Sequence, residues 1–410
     1  YAIPNLGLEF ALPELTFFSI IHRNSFWYSE LLRRIPRHFT RTFATATERK
    51  HVNDEPIQTF RTTESDPVNH SKDHVNRFYT VPPSVVQTIF HHGGLPKKFQ
   101  NQTGSFVETC LLVREPALEI ISCLNVTDYS KPINRYILYG ENGSGKSLTL
   151  AHILHYGLSS KNLLVHIPWV ADWFRKPKEV AASTTKEGFY DLPVDAAAWL
   201  VRFKHQNRAL LQELDLRLTK TYEWSIREHT PSGSPLLALI DLGVTRIKYA
   251  CDIIDVLLEE LRISCTSGKC KVLVVIDGFN SFLGDDTEIR VENRRKVYPD
   301  KVTLTNSFLN AVRSDWCNGA VVLSVDQLAV IKEAHESIYP RYLLGKEGFE
   351  LLDPFLPVHV QEYTADEFET TMEYYKNRKW VREITPEGQR ELELLSNRNP
   401  YRLMRLTASL

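Results

Sequence analysis

The residues best suited by type and spacing to do chemistry form a glycine-rich loop that ends in a lysine and a serine. Residues 140–147 fit the pattern G-x-x-x-x-G-K-[ST] in full. In such loops consecutive backbone N–H groups bind phosphate oxygens at a helix N-terminus, the lysine reaches the β and γ phosphates, and the hydroxyl binds Mg²⁺. The sequence therefore predicts a nucleotide site formed by Gly140, Glu141, Asn142, Gly143, Ser144, Gly145, Lys146 and Ser147. An inert glycine-rich turn is the alternative, but an apolar run directly before the loop and a helical pattern after it favour the nucleotide site.

A phosphate loop of this kind needs a partner acid that follows a short apolar strand and helps to hold Mg²⁺. The run 272–277 reads VLVVID and supplies Asp277, whereas the run 236–241 reads LLALID and competes with it. Ser-Gly-Ser-Pro precedes the second run and Gly243 follows it, so we favour Asp277. The predicted metal ligands are thus Ser147 and Asp277.

The residue after the predicted acid bears on catalysis. It is Gly278, whereas hydrolytic ATPases of the AAA+ and related classes usually carry a glutamate there that polarises the attacking water. Asn280 or Asp326 could orient a water instead, although each also suits a turn or a cap. The sequence leaves open whether the protein is an enzyme and allows at most a slow GTPase or ATPase.

Ser324 and Pro400 are further candidates for contacts with a nucleotide. Ser324 ends an apolar run, where an AAA+-like sheet would place a polar sensor near the γ-phosphate, and a serine bonded to backbone among valines is an equal alternative. Asn399 and Pro400 join two helical stretches as a cap and a first helical residue. They also resemble the Asn-Pro turn that signalling and AAA-type ATPases place beside the base.

The apolar pattern predicts the elements that would position these residues. Continuous apolar runs, typical of strands covered on both faces, occur at 135–139, 162–167, 271–276, 320–325 and 357–361. Helical patterns occur at 147–158, 195–220, 251–263, 366–379, 386–396 and 401–410. The alternation implies a parallel sheet with right-handed crossovers. We predict an α/β fold, a P-loop NTPase with a five-stranded, mainly parallel, AAA+-like sheet and a small C-terminal helical module.

The chain divides into four predicted segments: a leader at 1–50, an N-terminal extension at 51–115, a nucleotide-binding domain at 116–361, and a lid-like helical module at 362–410. The stretch 31–47 carries four arginines, many small and hydroxyl residues and no acid, which is the composition of a mitochondrial presequence. A solvated basic tail is the alternative.

Composition and charge limit the classes of partner. The 410 residues carry 49 Lys+Arg and 50 Asp+Glu, a net charge of −1 that argues against a broad nucleic-acid-binding face. No apolar run approaches the 18 residues of a membrane span, so we predict no membrane partner. Basic residues with aromatic neighbours cluster at 290–301 and 374–382. We favour solvated faces with packed aromatic sides there, and limited RNA contact is the alternative.

Several stretches outside the phosphate loop carry a family resemblance that begins near Tyr79 and runs to the C-terminus. They read VPP at 81–83, HHGGLP at 91–96, REPALE at 114–119, RYILYGE at 135–141, LVHIP at 164–168, GSPL at 233–236, VIDGFN at 275–280 and LSNRNP at 395–400. With them the chain resembles the mitochondrial small-ribosomal-subunit P-loop protein family, also called death-associated protein three. The resemblance carries the family's phosphate loop over to 140–147 and its magnesium-binding acid to Asp277.

The resemblance implies a structural constituent of the mitochondrial small ribosomal subunit, located in the matrix, that binds GTP or GDP, with ATP possible, together with Mg²⁺. It implies contacts with small-subunit proteins, bridges to the large subunit and limited rRNA contact, and the family is also linked to apoptosis. The base stays open, because the chain lacks the Asn/Thr-Lys-x-Asp element of small GTPases. Two other functions remain: an AAA+-like NTPase that remodels a partner, and a nucleotide-regulated signalling switch.

Overall fold

The computed structural model describes residues 59–284, 287–291, 294–330 and 337–408. The strands there are β1 (Phe78–Thr80), β2 (Cys110–Leu112), β3 (Asn134–Tyr139), β4 (Leu163–Ile167), β5 (Ala181–Ala182), β6 (Tyr190–Asp191), β7 (Tyr222–Glu223), β8 (His229–Thr230), β9 (Val272–Ile276), β10 (Gly319–Ser324) and β11 (Leu356–His359). The α-helices are α1 (Pro83–Phe90), α2 (Lys97–Phe106), α3 (Glu115–Val126), α4 (Lys146–Ser159), α5 (Ala171–Arg175), α6 (Pro193–Leu214), α7 (Leu236–Thr245), α8 (Ala250–Thr266), α9 (Thr303–Ala311), α10 (Pro340–Leu352), α11 (Ala365–Asn377), α12 (Pro386–Ser396) and α13 (Pro400–Thr407).

A five-stranded sheet in the order β11-β3-β10-β9-β4 forms the centre of the fold. Every neighbouring pair in it is parallel. Numbered along the chain, these strands lie in the order 5-1-4-3-2, and helices connect each to the next. The predicted α/β fold with a five-stranded parallel sheet is confirmed.

Apolar side chains cover both faces of this sheet, as continuous strand runs predict. Ile137, Val274 and Leu323 belong to a core formed with α6, α7, α8 and α9. Leu138 and Val275 belong to a second core, formed with α3 and α4 on the opposite face. Because successive strand residues point to opposite faces, each strand contributes to both cores. Since β3 and β9 both run parallel to β10, their carboxyl ends lie at the same end of the sheet.

The structure differs from one alternative and from one prediction drawn from the sequence. The run 236–241, weighed above as a second acid-bearing strand, is the first half of α7. Its buried residues Leu236, Leu239 and Ile240 follow helical spacing, and Pro235 stands at the N-cap. The helix predicted to reach residue 220 ends at Leu214, because Asp215 adopts a left-handed conformation with φ of +42°.

The N-terminal extension contains elements that the apolar pattern did not predict, namely β1, α1, α2, β2 and the beginning of α3. Phe60, Phe78 and Phe106 share a third core with Phe368 and Met372 of α11. This part of the chain thus packs against the C-terminal helices. The division at residues 50, 115 and 361 stays a prediction, and the predicted leader lies outside the described residues. Among the helices that are described, none combines the length and the apolarity needed to cross a membrane.

Candidate functional site

The predicted phosphate loop connects the end of β3 to the beginning of α4. Gly145 is the N-cap of α4, so the N–H groups of the first helical turn face the loop. Gly143 has φ of +84°, and a Cβ there would lie 2.7 Å from Oδ1 of Asn399 and from Cβ of Tyr401. Only glycine suits this position, both for its backbone angle and for the closeness of the C-terminal helices.

Three further loop residues, Glu141, Asn142 and Ser144, contribute mainly backbone atoms to the predicted phosphate site. Glu141 and Asn142 have exposed side chains. Ser144 is fully buried, and its hydroxyl has no hydrogen-bond partner. The carbonyl of Ser144 accepts a hydrogen bond from Nη1 of Arg114 at 2.7 Å, which fixes this side of the loop.

Lys146 lies buried beneath the loop, with 4 % of its surface exposed. Its Nζ donates to the carbonyl oxygens of Gly140 at 2.6 Å and Glu141 at 2.9 Å. The same Nζ is 2.9 Å from Oδ2 of Asp326, which follows β10. Three oxygens, two carbonyl and one carboxylate, therefore surround the ammonium group at the centre of the loop. This is the position of the phosphate-binding lysine in loops of this pattern.

Ser147 and Asp277, the predicted metal ligands, lie in direct contact. The hydroxyl of Ser147 donates to Oδ2 of Asp277 at 2.5 Å. A hydroxyl and a carboxylate oxygen are the hard ligands that Mg²⁺ accepts, and Mg²⁺ usually takes only one or two protein ligands beside phosphate oxygens and water. The residues present thus fit a Mg²⁺–nucleotide complex.

Ser324 is placed beside the acid by the pairing of β10 with β9. Its hydroxyl donates to Oδ1 of Asp277 and accepts from the Gly278 N–H at 2.9 Å. Burial raises the pKa of Asp277 to about 6, against the opposing effects of the Ser147 and Ser324 hydrogen bonds and the charge of Lys146. Ser324 therefore orients Asp277 and also bonds to backbone, as the structural interpretation expects. The sensor interpretation, a contact with the γ-phosphate, stays a prediction.

The position after the acid does not accommodate a water-polarising glutamate. Gly278 has φ of +71°, and a Cβ there would lie 2.9 Å from the Trp169 ring. Asn280 is fully buried and exchanges two hydrogen bonds with the backbone of Asp326, at 2.9 and 3.0 Å. Asp326 caps a short 3₁₀ turn through the N–H of Leu328. The turn and cap interpretations of these two side chains match the structure.

The Asn-Pro turn lies directly on the phosphate loop. Nδ2 of Asn399 donates to the carbonyl of Asn142 at 3.0 Å, and the N–H of Tyr401 donates to the carbonyl of Gly143 at 3.2 Å. Asn399 also caps α13, in which Pro400 is the first residue. The predicted cap is therefore present, and the same turn contacts the phosphate loop. A place for this turn beside a base stays a prediction.

A cavity of about 370 Å³ extends from the phosphate loop between α2, α11 and α13. This volume lies in the range of small-molecule sites. Its outer part is mainly aromatic and apolar, lined by Phe78, Phe99, Phe106, Leu112, Tyr363, Tyr374, Tyr375 and Met404. Tyr374 and Tyr375 are buried, while Lys376, Lys379 and Arg382 are exposed, as favoured for the cluster at 374–382.

Sequence reasoning missed Arg114 and the α2 side chains as parts of this site. Arg114 stood in the REPALE stretch of the family resemblance, and its guanidinium also lies over the Tyr363 ring at 5.1 Å. Phe99, Gln102 and Phe106 recur at helical spacing on one side of α2, which would have been the only local signal.

Comparisons with known proteins give consistent results. A family model described as mitochondrial ribosomal death-associated protein 3 matches residues 111–406. Small ribosomal subunit protein mS29 of Mus musculus is 37% identical over 387 residues, 93% of this chain and 98% of that protein. The protein of the same name from Bos taurus is 38% identical over 353 residues, 85% of this chain and 88% of that protein.

Solved structures of more distant sequence were also compared. A Walker-type ATPase of Pyrococcus abyssi has 12% identity and a TM-score of 0.36, over 72% of this chain and 65% of that chain. The ORC2 protein of Aeropyrum pernix, in its ADPNP–ADP complexes, has 16% identity and a TM-score of 0.33, over 71% of this chain and 58% of that chain.

Proposed function

The chain belongs to the mitochondrial ribosomal death-associated protein 3 family, and we propose that it is a constituent of the mitochondrial small ribosomal subunit whose fold is braced by a bound purine nucleotide with Mg²⁺. Membership of this family supports the proposed place in the small ribosomal subunit, because the mouse and cattle relatives are named small ribosomal subunit proteins and align over most of their length. The site supports the nucleotide part.

The single observation that carries the nucleotide proposal is the convergence of Lys146, Ser147 and Asp277 at one loop. The buried ammonium would bind the phosphates, and the adjoining hydroxyl and carboxylate would hold Mg²⁺. Mg²⁺ would neutralise phosphate charge at this place. Lys146 would replace some of its present hydrogen bonds, to carbonyl and carboxylate oxygens, by hydrogen bonds to phosphate oxygens. Both kinds of oxygen are acceptors for an ammonium group.

A structural role fits this site better than rapid turnover does. The left-handed Gly278 beside Trp169 leaves no room for the water-polarising glutamate of hydrolytic ATPases. The phosphate loop is instead tied on two sides, by Arg114 and by the Asn399 turn. A ligand bound there would connect the sheet, the N-terminal extension and the C-terminal helices, and it would stabilise the folded state by mass action.

The bound nucleotide is GTP or GDP by family resemblance, and ATP remains an alternative for the experiment to decide. The proposed location is the mitochondrial matrix, and the proposed neighbours are small-subunit proteins, with bridges to the large subunit and limited rRNA contact. The exposed basic side of the 374–382 segment is one surface for that rRNA contact.

Sedimentation of a mitochondrial lysate tests both parts of the proposal. The protein should sediment with the small subunit, and denaturing that peak should release a purine nucleotide in near-stoichiometric amount. A chain with Lys146→Met, expressed in place of the natural one, should bring down less nucleotide, whereas Lys161→Met on the exposed end of the same region should not. A protein that stays at the top of the gradient would contradict the ribosomal assignment. A small-subunit peak without nucleotide would contradict the bracing role.

A further inference from the structure

Two buried polar side chains that line the cavity each have one nitrogen without a hydrogen-bond partner. Gln102 on α2 is 5 % exposed, and its Nε2 has no hydrogen-bond partner, although the amide lies close enough to the Tyr375 hydroxyl to oppose the rise in the pKa of Tyr375 that burial causes. His152 on α4 is 1 % exposed, and its Nδ1 has no partner. Both residues line the cavity that begins at the phosphate loop. Buried polar atoms without partners are rare in folded proteins and call for a reason, and a ligand is one such reason.

The hydrogen-bond character of His152 follows from its neighbours. Nε2 of His70 lies 3.2 Å from the carbonyl oxygen of Glu64, which only accepts, so this nitrogen carries the proton. Burial lowers the pKa of His70 and of His152, so both rings are neutral at neutral pH. Nδ1 of His70 is then an acceptor, and it lies 2.9 Å from Nε2 of His152, which must donate. Nδ1 of His152 is therefore left as a fixed acceptor.

The rest of the outer cavity suits a flat ring. Phe99, Phe106 and Tyr374 supply aromatic walls, and Tyr363 adds a ring already covered by Arg114. Aromatic side chains stack on bases of any kind, so these walls give affinity without choosing a base edge. The choice between bases must therefore come from polar atoms. Among the described residues that line the cavity, Gln102 and His152 are the ones with a buried polar atom that has no hydrogen-bond partner.

We propose that Gln102 and His152 select a purine base, with Gln102 donating to a ring or carbonyl acceptor and His152 accepting from an N–H of the base. The inference rests on the proposed nucleotide site, since the phosphate loop places the base end of a nucleotide toward this cavity. Only purines carry an exocyclic group beside N7; in adenine this edge presents the N6–H₂ donor beside the N7 acceptor, and an amide side chain pairs with it. His70 is a positioning residue, which fixes the tautomer of His152.

Binding of defined nucleotides by the purified full chain tests this assignment. The probes are GDP, ADP, CDP, UDP and inorganic pyrophosphate, each with Mg²⁺. The wild-type chain should bind one or both purine diphosphates at least about tenfold more tightly than the pyrimidine diphosphates. Gln102→Leu and His152→Leu should each weaken purine binding about tenfold and leave pyrophosphate binding unchanged. The matched control is Gln100→Leu, an exposed position on the same helix that does not line the cavity.

The folded state provides a second measurement. Replacing an unpartnered buried amide with an apolar side chain of similar size should not destabilise the protein without nucleotide, so Gln102→Leu should unfold no more readily than wild type. Unchanged purine affinity in Gln102→Leu would overturn the assignment. Pyrophosphate binding without any purine preference would overturn it too, while leaving the phosphate site intact. A wild-type chain that binds neither nucleotide nor pyrophosphate would overturn the proposed function itself.

Discussion

Arg114 and Glu367 form a two-point ion pair that joins the beginning of α3 to the first turn of α11. Nε of Arg114 lies 2.8 Å from Oε1 of Glu367, and Nη2 lies 3.0 Å from Oε2. The third guanidinium nitrogen donates to the Ser144 carbonyl, and Glu367 also completes the capping box of α11 with Thr364. One buried arginine thus ties the phosphate loop and the C-terminal helices to the same point.

Removing this arginine should destabilise the whole fold. Arg114→Met leaves the buried carboxylate of Glu367 without its partner, and we expect a loss of about 3–5 kcal/mol in the free energy of unfolding. Urea denaturation measures it. Arg217→Met is the matched control, since the pair of Arg217 with Asp215 is exposed and its loss should cost at most about 1 kcal/mol. Equal losses in the two variants would show that the Arg114 network contributes no more than a surface pair.

Lys146 should govern how much a nucleotide stabilises the chain. A ligand at one hundred times its Kd adds about 2.7 kcal/mol to the wild-type free energy of unfolding. Lys146→Met should lose most of this increment, because the ammonium that binds the phosphates is gone. The comparison is made within each variant, with and without Mg²⁺–nucleotide, since the substitution also leaves Asp326 without its ion-pair partner. An undiminished increment in the variant would exclude Lys146 from the phosphate site.

Ser147 and Asp277 should make the nucleotide affinity depend on Mg²⁺. Chelation of Mg²⁺ with EDTA should weaken nucleotide binding by the wild-type chain, and Ser147→Ala should bind with nearly the same affinity whether Mg²⁺ is present or absent. Ser159→Ala, at the exposed end of the same helix, is the control and should retain the wild-type difference. Titration calorimetry of the three proteins in both buffers gives the six affinities. A variant Ser147→Ala that still responds to Mg²⁺ as wild type does would remove Ser147 from the ligand set.

Sequence reasoning could predict a phosphate site and its loop conformation because the residues concerned are local in the chain. The loop is eight contiguous residues, and Asp277 follows directly from a five-residue apolar strand that is covered on both faces. The run at 236–241 has the same composition as that strand, and only its burial spacing in α7 separates the two. A short apolar run does not by itself distinguish a strand from a buried helix.

The outer cavity lay beyond such reasoning because distant parts of the chain form it. Arg114 and Glu367 are 253 positions apart, and Gln102 shares its cavity with residues of α4 and α11 that are distant from it in the chain. Hydrophobic periodicity within one element gives no information on contacts between residues so far apart in the chain. The helix α2 was also hard to predict because Phe99 and Phe106 are its only large apolar residues. The polar residues Gln102 and Thr103 lie between them and line the cavity.

Gly278 should not accept the glutamate that hydrolytic ATPases usually carry after the magnesium-binding acid. Gly278→Glu forces a side chain into a left-handed backbone position 2.9 Å from Trp169, and we expect a destabilisation of about 1–3 kcal/mol without a gain in nucleotide turnover. Gly268→Glu is the control, because Gly268 has a similar φ of +75° with nothing near its Cβ position. Release of phosphate and urea unfolding are the two measurements. A variant at Gly278 that is stable and turns over faster would contradict the structural reason given for slow hydrolysis.

His166 should make stability fall in mild acid. It lies in the middle of β4 with 3 % exposure, and burial lowers its pKa to about 3. The unfolded chain binds a proton at this residue as pH falls below about 6.5, while the folded chain does not. The contribution is therefore fully present above pH 6.5 and is lost progressively from there toward pH 3. Between pH 7.5 and 5.5 the loss is about 1.4 kcal/mol.

His166→Gln should remove that share of the pH dependence. Glutamine does not titrate in this range, so the free energy of unfolding of the variant should fall by about 1.4 kcal/mol less than wild type between pH 7.5 and 5.5. His91→Gln, at an exposed position, controls for the substitution itself. The comparison uses slopes against pH, so a uniform destabilisation from losing the contact between His166 and Gln206 does not affect it. Parallel curves for wild type and His166→Gln would show that the unfolded chain takes up no extra proton at this residue.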